Sequence, residues 1–264
     1  MELKRLTFEG PALQRLSEPE QLFLFRMAQA RDDLRQLNFL CHAALNGLPP
    51  LQGVERRANV HQVFYMVRLI CGALYEVWRM IKTGWNGSEL ARSFASRLTE
   101  EARESHSYLC RYFGADNIVA RIRNKFAFHY DEDLLKGPIA SLKSGGEYSF
   151  VTGTMNGNIF YDFAEEVRLR AILREVRVQT DDPNAAVIRL ADEAYGDVYK
   201  HMVTFSDAVL LTIVSDLGVR ADMIEISSEV DMRNQRPILF VDEVAMSELQ
   251  QTIRRNAESG HDVM

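Results

Sequence analysis

Several things are scarce in this chain of 264 residues. It has only three cysteines, Cys41, Cys71 and Cys110. They form no CxxC pair and cannot all be joined in disulfides within one chain, so a reducing cytoplasm is the expected setting. No apolar run approaches the ~18 residues of a membrane-spanning helix, so no membrane partner is expected. The opening MELKRLTFEG lacks the apolar stretch of a secretory signal. Also missing are HExxH, GxSxG, GxxxxGK[ST] and GxGxxG, and with them the commonest zinc, serine-nucleophile, P-loop and dinucleotide chemistries. The expected cofactor is none. There is no internal repeat and no low-complexity segment.

Apolar residues make up 47% and charged residues 26%, an ordinary globular composition. The formal charge is −6, which argues against a general nucleic-acid binder. That total hides an asymmetry. Residues 1–130 hold 18 Lys and Arg against 13 Asp and Glu, a net +5, whereas residues 131–264 hold 13 against 24, a net −11. One half can still supply the local positive charge that a phosphate backbone needs. The acidic half reads as a solvated or partner-facing surface.

The first half has helical periodicity. Ser17-Glu18-Pro19-Glu20 is a capping-box start. Phe23, Met27, Ala30, Leu34, Leu37, Cys41, Ala44 and Leu48 then form one apolar seam, which Asn46-Gly47 and Pro49-Pro50 end. A second helix from near Val54 repeats the spacing through Val60, Phe64, Val67, Cys71, Leu74, Trp78, Ile81 and Trp85. The pair predicts an antiparallel helical hairpin with Cys41 and Cys71 buried as apolar side chains. A third helix carries Leu90, Phe94, Leu98, Ala102 and Leu109, and a fourth runs from an Asp116 cap to Gly137-Pro138.

The second half changes period. GEYSFVT and NIFYD flank Gly153 to Gly157, a strong β-hairpin cue. A shorter helix follows from Asp162, with Glu165 completing a second capping-box pattern. A long helix is expected from Asp181-Asp182-Pro183 to Gly218, then a strand-like run at Ile238 to Val241. The expected fold is therefore mostly α: an antiparallel helical bundle with a long helical hairpin, an inserted β-hairpin and a C-terminal α-rich extension. Residues 1–137 form the bundle, and residues 138–264 pack on it or extend it.

One segment points to chemistry. Arg123-Asn124-Lys125-Phe126-Ala127-Phe128-His129-Tyr130-Asp131 lies on the fourth helix. An imidazole can take a 2′-hydroxyl proton or protonate a leaving oxygen near neutral pH. A guanidinium can hold a phosphate and offset its growing charge, and an asparagine adds a neutral donor or orients the histidine. At ~100° per residue from Ile118, His129 falls near 20°, inside the apolar stripe, with Arg123 near 140° and Asn124 near 240°. In a regular helix Asn124 cannot join the same site. Either the helix is irregular before His129, or two chains build the site together. His106 and Cys110, four apart on a helix, lack the further ligands that a metal site needs; no metal is expected.

The segment IRNKFAFHYD resembles the Arg-x(4–6)-His motif of the HEPN superfamily, in which a polar residue, often Asn, follows the Arg. The surrounding helices suit small HEPN bundles, and the abortive-infection branch of bacterial HEPN proteins is the nearest flavour. The resemblance implies a metal-independent endoribonuclease used in toxin–antitoxin, phage-defence or RNA-processing systems, with RNA as partner. It also implies a homodimer whose motif helices meet in a shared cleft, and allows an antitoxin or regulatory protein. Carried over, Arg123 binds phosphate, His129 acts as acid or base and Asn124 polarises or orients; Lys125 and Tyr130 flank them as substrate-binding residues. Some HEPN toxins place a tyrosine two residues after the histidine, where this chain has Asp131. Other members are inactive binding modules, so a non-catalytic interaction module is the alternative.

Overall fold

The computed structural model describes residues 2–46, 52–127, 132–140, 149–153, 159–175 and 189–225. Helix α1 spans Glu18–Asn46 and begins as the sequence predicts. The Ser17 backbone N–H and hydroxyl both donate to Glu20 Oε2, each at 2.8 Å, so the glutamate reaches back over the start of the helix. Helix α2, Gly53–Met80, runs antiparallel to it. Phe23 near the start of α1 meets Trp85 just beyond the end of α2, with ring centroids 6.3 Å apart. Both apolar seams face inward. Met27, Leu34 and Cys41 on one helix, and Ile70, Cys71 and Leu74 on the other, are essentially inaccessible to solvent. Burying each large aliphatic side chain contributes about 1.5–3 kcal/mol.

The end of α2 widens into a π-helical turn, Ile81–Trp85. Gly84 sits in it because any Cβ there would lie 2.5 Å from the Phe23 ring.

Beyond this hairpin, one expected helix is two. Helix α3 covers only Glu89–Phe94, followed by a 3-10 turn at Ala95–Arg97 and helix α4 at Glu100–Gly114. Leu98 is extended, and Thr99 restarts the chain by accepting the Ala102 N–H at 3.3 Å. Leu90, Phe94, Leu98, Ala102 and Leu109 are all buried, so the apolar spacing concealed the break. The next cap also differs from expectation: Asn117, not Asp116, precedes helix α5, Ile118–Ile122. A π-helical stretch, Arg123–Ala127, continues α5, and helix α6 follows at Glu132–Ala140 with Pro138 inside it.

In the second half, Val151 and Phe160 exchange backbone hydrogen bonds of 2.9 and 3.0 Å, a single antiparallel bridge where the hairpin is expected. Residues 154–158 of that hairpin, and the strand-like run at 238–241, lie outside the described residues. Helix α7 spans Asp162–Glu175. Asp162 is not an N-cap there; its carboxylate turns away to α2, taking Arg57 Nε at 2.9 Å and His61 Nε2 at 3.2 Å. A third π-helical stretch, Asp192–Val198, leads into helix α8, Tyr199–Asp216, which ends before Gly218 at φ +74°. The predicted start of this helix, 181–183, is outside the described residues.

Helix α8 packs on α1 and α4. Arg31 and Asp207 form a two-pronged pair at 2.7 and 3.0 Å, and fully buried Phe205 stacks on His106 and meets Trp85 edge-on. One continuous apolar cluster therefore joins α1, α2, α4, α5, α7 and α8.

No sequence pattern announces the two-stranded antiparallel sheet, in which β1, Glu2–Thr7, pairs with β2, Arg220–Glu225. Neither strand alternates cleanly, and Leu6 and Met223 remain exposed. The pairing instead sets Arg5 opposite Asp222. Among the described residues no helix is long and apolar enough to cross a membrane.

Candidate functional site

The motif helix is anchored before it reaches Arg123. Asn117 Oδ1 accepts the Ala120 N–H at 2.8 Å, and Ile118, Val119 and Ile122 are buried in the core, which fixes the rotation of α5. From Arg123 to Ala127 the winding changes from α to π. Each residue then turns the chain by less than the ~100° of an α-helix, so a regular helical wheel does not hold past Ile122. Extra donors are needed where carbonyls leave the α pattern. Arg68 on α2, only 5% exposed, supplies one: its Nη1 donates to the Phe126 carbonyl at 3.3 Å. Its guanidinium also lies over the rings of Phe64 and Tyr65, at 5.6 and 5.4 Å from their centroids.

Arg123 is held in a plane. Its Nε and Nη2 both donate to Glu76 Oε1, at 3.0 and 2.5 Å, and its Nη1 donates to Asn124 Oδ1 at 3.0 Å. The guanidinium lies 5.2 Å from the centre of the Tyr75 ring. A guanidinium carries five N–H groups, so these three contacts leave two without a partner among the described residues. Glu76 also takes Arg79 Nη1 at 3.2 Å, so the Arg79–Glu76–Arg123 cluster keeps one net positive charge. The Arg123 side chain is 30% exposed. It lines a groove of about 490 Å³ together with Asp33, Gln36 and Leu37 of α1 and Leu69, Gly72, Ala73 and Glu76 of α2.

The structure thus brings Arg123 and its chain neighbour Asn124 into contact. Lys125 is elsewhere: its Nζ donates to Glu175 Oε2 at 2.6 Å at the end of α7. Arg121 reaches the same residue, donating to the Glu175 carbonyl at 2.6 Å. His129 and Tyr130 lie outside the described residues, as do Phe128 and Asp131. His106 has a structural environment, with its Nε2 2.8 Å from Asn86 Oδ1 and 3.6 Å from Cys110 Sγ. Burial beside Phe205 holds its pKa below the ordinary histidine value.

Sequence reasoning missed Glu76, Tyr75 and Arg68. Arg68 carries the one available signal, a cation inside the apolar stretch Phe64 to Leu74. Glu76 reads as an ordinary exposed helix residue, and only the packing of α5 on α2 reveals its partner. Chemically, the arrangement presents a planar, braced cation with free donors in the lining of a groove, which suits a phosphate or carboxylate. Comparison with known proteins finds no matching family model, no matching curated protein and no matching solved structure.

Proposed function

We propose that this chain is a HEPN-like, metal-independent endoribonuclease. The observation that carries the reading is the bracing of Arg123 by Glu76 and Asn124 beside an open groove, with two N–H groups left for a phosphoryl oxygen. The motif resemblance adds His129. In the proposed reaction the 2′-oxygen of the RNA attacks the adjacent phosphorus, and its proton passes to an imidazole. The bond from phosphorus to the 5′-oxygen breaks, and that oxygen takes a proton from an imidazolium. The products are a 2′,3′-cyclic phosphate and a free 5′-hydroxyl. Arg123 stabilises the charge gained by the non-bridging oxygens, while Asn124 orients Arg123. Tyr130 contacts the substrate; Lys125, bound to Glu175, serves RNA only if that pair opens.

The working form in this reading is a homodimer whose motif helices share one cleft, acting in the cytoplasm in a toxin–antitoxin or phage-defence setting with an antitoxin or regulatory protein. The test is RNA cleavage in EDTA with analysis of the ends. Wild-type protein leaves cyclic phosphates, and Arg123→Ala and His129→Ala chains are each inactive but regain cleavage when mixed. Magnesium-dependent cleavage leaving other ends contradicts the reading.

One observation favours a second reading, a non-catalytic HEPN-like interaction module. Arg123 is already paired with Glu76, as in a purely structural ion pair. In that case wild-type protein cleaves no RNA, and Arg123→Ala alters only stability.

A further inference from the structure

The groove lined by Arg123 is not a featureless surface. Leu37, Leu69, Gly72 and Ala73 give it an apolar part of its lining, and buried Gly72 adds no side chain to fill it. Along one wall stand Asp33 and Gln36, three residues apart and therefore neighbours on α1. The adjacent Asp32 is paired with Arg35. Asp33 and Gln36 have no hydrogen-bond or ion-pair partner among the described residues. A partly apolar groove lined by an unengaged carboxylate and a braced guanidinium has three separate demands. They are a planar ring, an edge rich in N–H donors and an anionic group.

We infer that this groove is a base subsite for guanine, taking the guanosine whose 3′-phosphate lies on Arg123; the inference rests on the ribonuclease reading. A carboxylate only accepts hydrogen bonds. Guanine presents two adjacent donors, N1–H and the N2 amino group, that match its two oxygens. Adenine and cytosine set an unprotonated ring nitrogen beside their amino group, and that lone pair faces the carboxylate unfavourably. Uracil offers one N–H flanked by two carbonyl oxygens. Asp33 therefore selects guanine, and Gln36, with both donors and an acceptor, contacts its O6 or the ribose. The volume of about 490 Å³ lies in the ~300–1,000 Å³ range of small-ligand sites. Glu76 does not compete for the base, because Arg79 and Arg123 occupy it.

The experiment has a binding arm and a cleavage arm, both on the full chain. In the first, the 3′-monophosphates of guanosine, adenosine, cytidine and uridine are titrated calorimetrically into wild-type and Asp33→Asn protein. Circular dichroism checks that the variant, altered at an exposed residue, is folded. Guanosine 3′-monophosphate binds at least about fivefold more tightly than the others, as one two-pronged base contact allows. Asp33→Asn removes the preference by placing an amino group against the guanine donors. Equal binding of all four nucleotides, or a guanine preference that survives in Asp33→Asn, overturns the subsite. In the second arm, oligonucleotides with a single G are cut on its 3′ side. Cleavage without base preference overturns the guanine inference alone. Guanosine 3′-monophosphate binding that depends on Asp33, without RNA cleavage, overturns the ribonuclease reading alone. Guanosine 5′-monophosphate binding as tightly as the 3′ isomer identifies a free nucleotide, not RNA, as the source.

Discussion

Arg123 and Glu76 are 47 residues apart in the chain, yet two guanidinium nitrogens converge on one Glu76 oxygen, Nε at 3.0 Å and Nη2 at 2.5 Å. Glu76 is 48% exposed and Arg123 30%. An ion pair this open contributes little to stability, about 0–1 kcal/mol. Its consequence is geometric: it fixes the plane of the guanidinium and the direction of the two N–H groups that remain.

On the ribonuclease reading, Glu76→Gln should accordingly change activity more than stability. The expected outcome is an unfolding free energy within about 1 kcal/mol of wild type and RNA cleavage reduced roughly ten- to a hundredfold, as a slightly misplaced catalytic group produces. Urea denaturation and steady-state kinetics on the same preparations check this. A large loss of stability with unchanged cleavage contradicts it.

Arg68 serves the same segment from the buried side. Replacing it with methionine keeps the apolar stem but removes the donor to the Phe126 carbonyl. The loss is about 1–3 kcal/mol, as for a buried acceptor deprived of its partner. Amide hydrogen exchange should accelerate at residues 123–127 before it does in α1 or the middle of α2. Unchanged exchange there removes Arg68 from the account.

The thiols should divide into two classes. Burial pushes Cys41 up to about 11 and Cys71 up to about 12. Cys110 is raised too, first by burial, but is only half-buried. Since the thiolate is the reactive form, a disulfide reagent at pH 8 should modify Cys110 first, and Cys41 and Cys71 only on unfolding. Equal reactivity of all three in folded protein contradicts the buried seams.

Histidine titration gives stability a definite pH slope. His61, His106 and His201 are all held below the ordinary value, in each case chiefly by burial. The unfolded chain therefore binds more protons than the folded one once the pH drops below ~6.5. Stability is present above that pH and is lost as pH falls through the lowered folded values. Denaturation at pH 7.5 and 5.5 should show lower stability at 5.5, and His106→Gln should reduce the difference.

Much of this architecture was legible in the residues. The alternating seams of α1 and α2, the Ser17–Glu20 cap and the stop at Gly218 follow local rules, because burial periodicity and capping are written within a turn or two. The break at Leu98-Thr99 was hidden, since its apolar residues stay in phase across it. The β1–β2 sheet was not legible, because it joins Glu2–Thr7 to Arg220–Glu225 across more than two hundred residues with little apolar alternation to announce it. At the site, the Arg–Asn–Lys order was visible, but what each side chain touches was not. The π winding from Arg123 and the partners Glu76 and Glu175 depend on packing between helices that no local pattern records.

The most direct measurement of the central claim is the rate of RNA cleavage in EDTA by wild-type and folded His129→Ala protein. The account predicts wild-type cleavage that leaves 2′,3′-cyclic phosphate ends and a loss of about 100-fold or more in His129→Ala, the contribution of a general acid or base. Undiminished cleavage by folded His129→Ala, or none by wild type on any RNA, would contradict it.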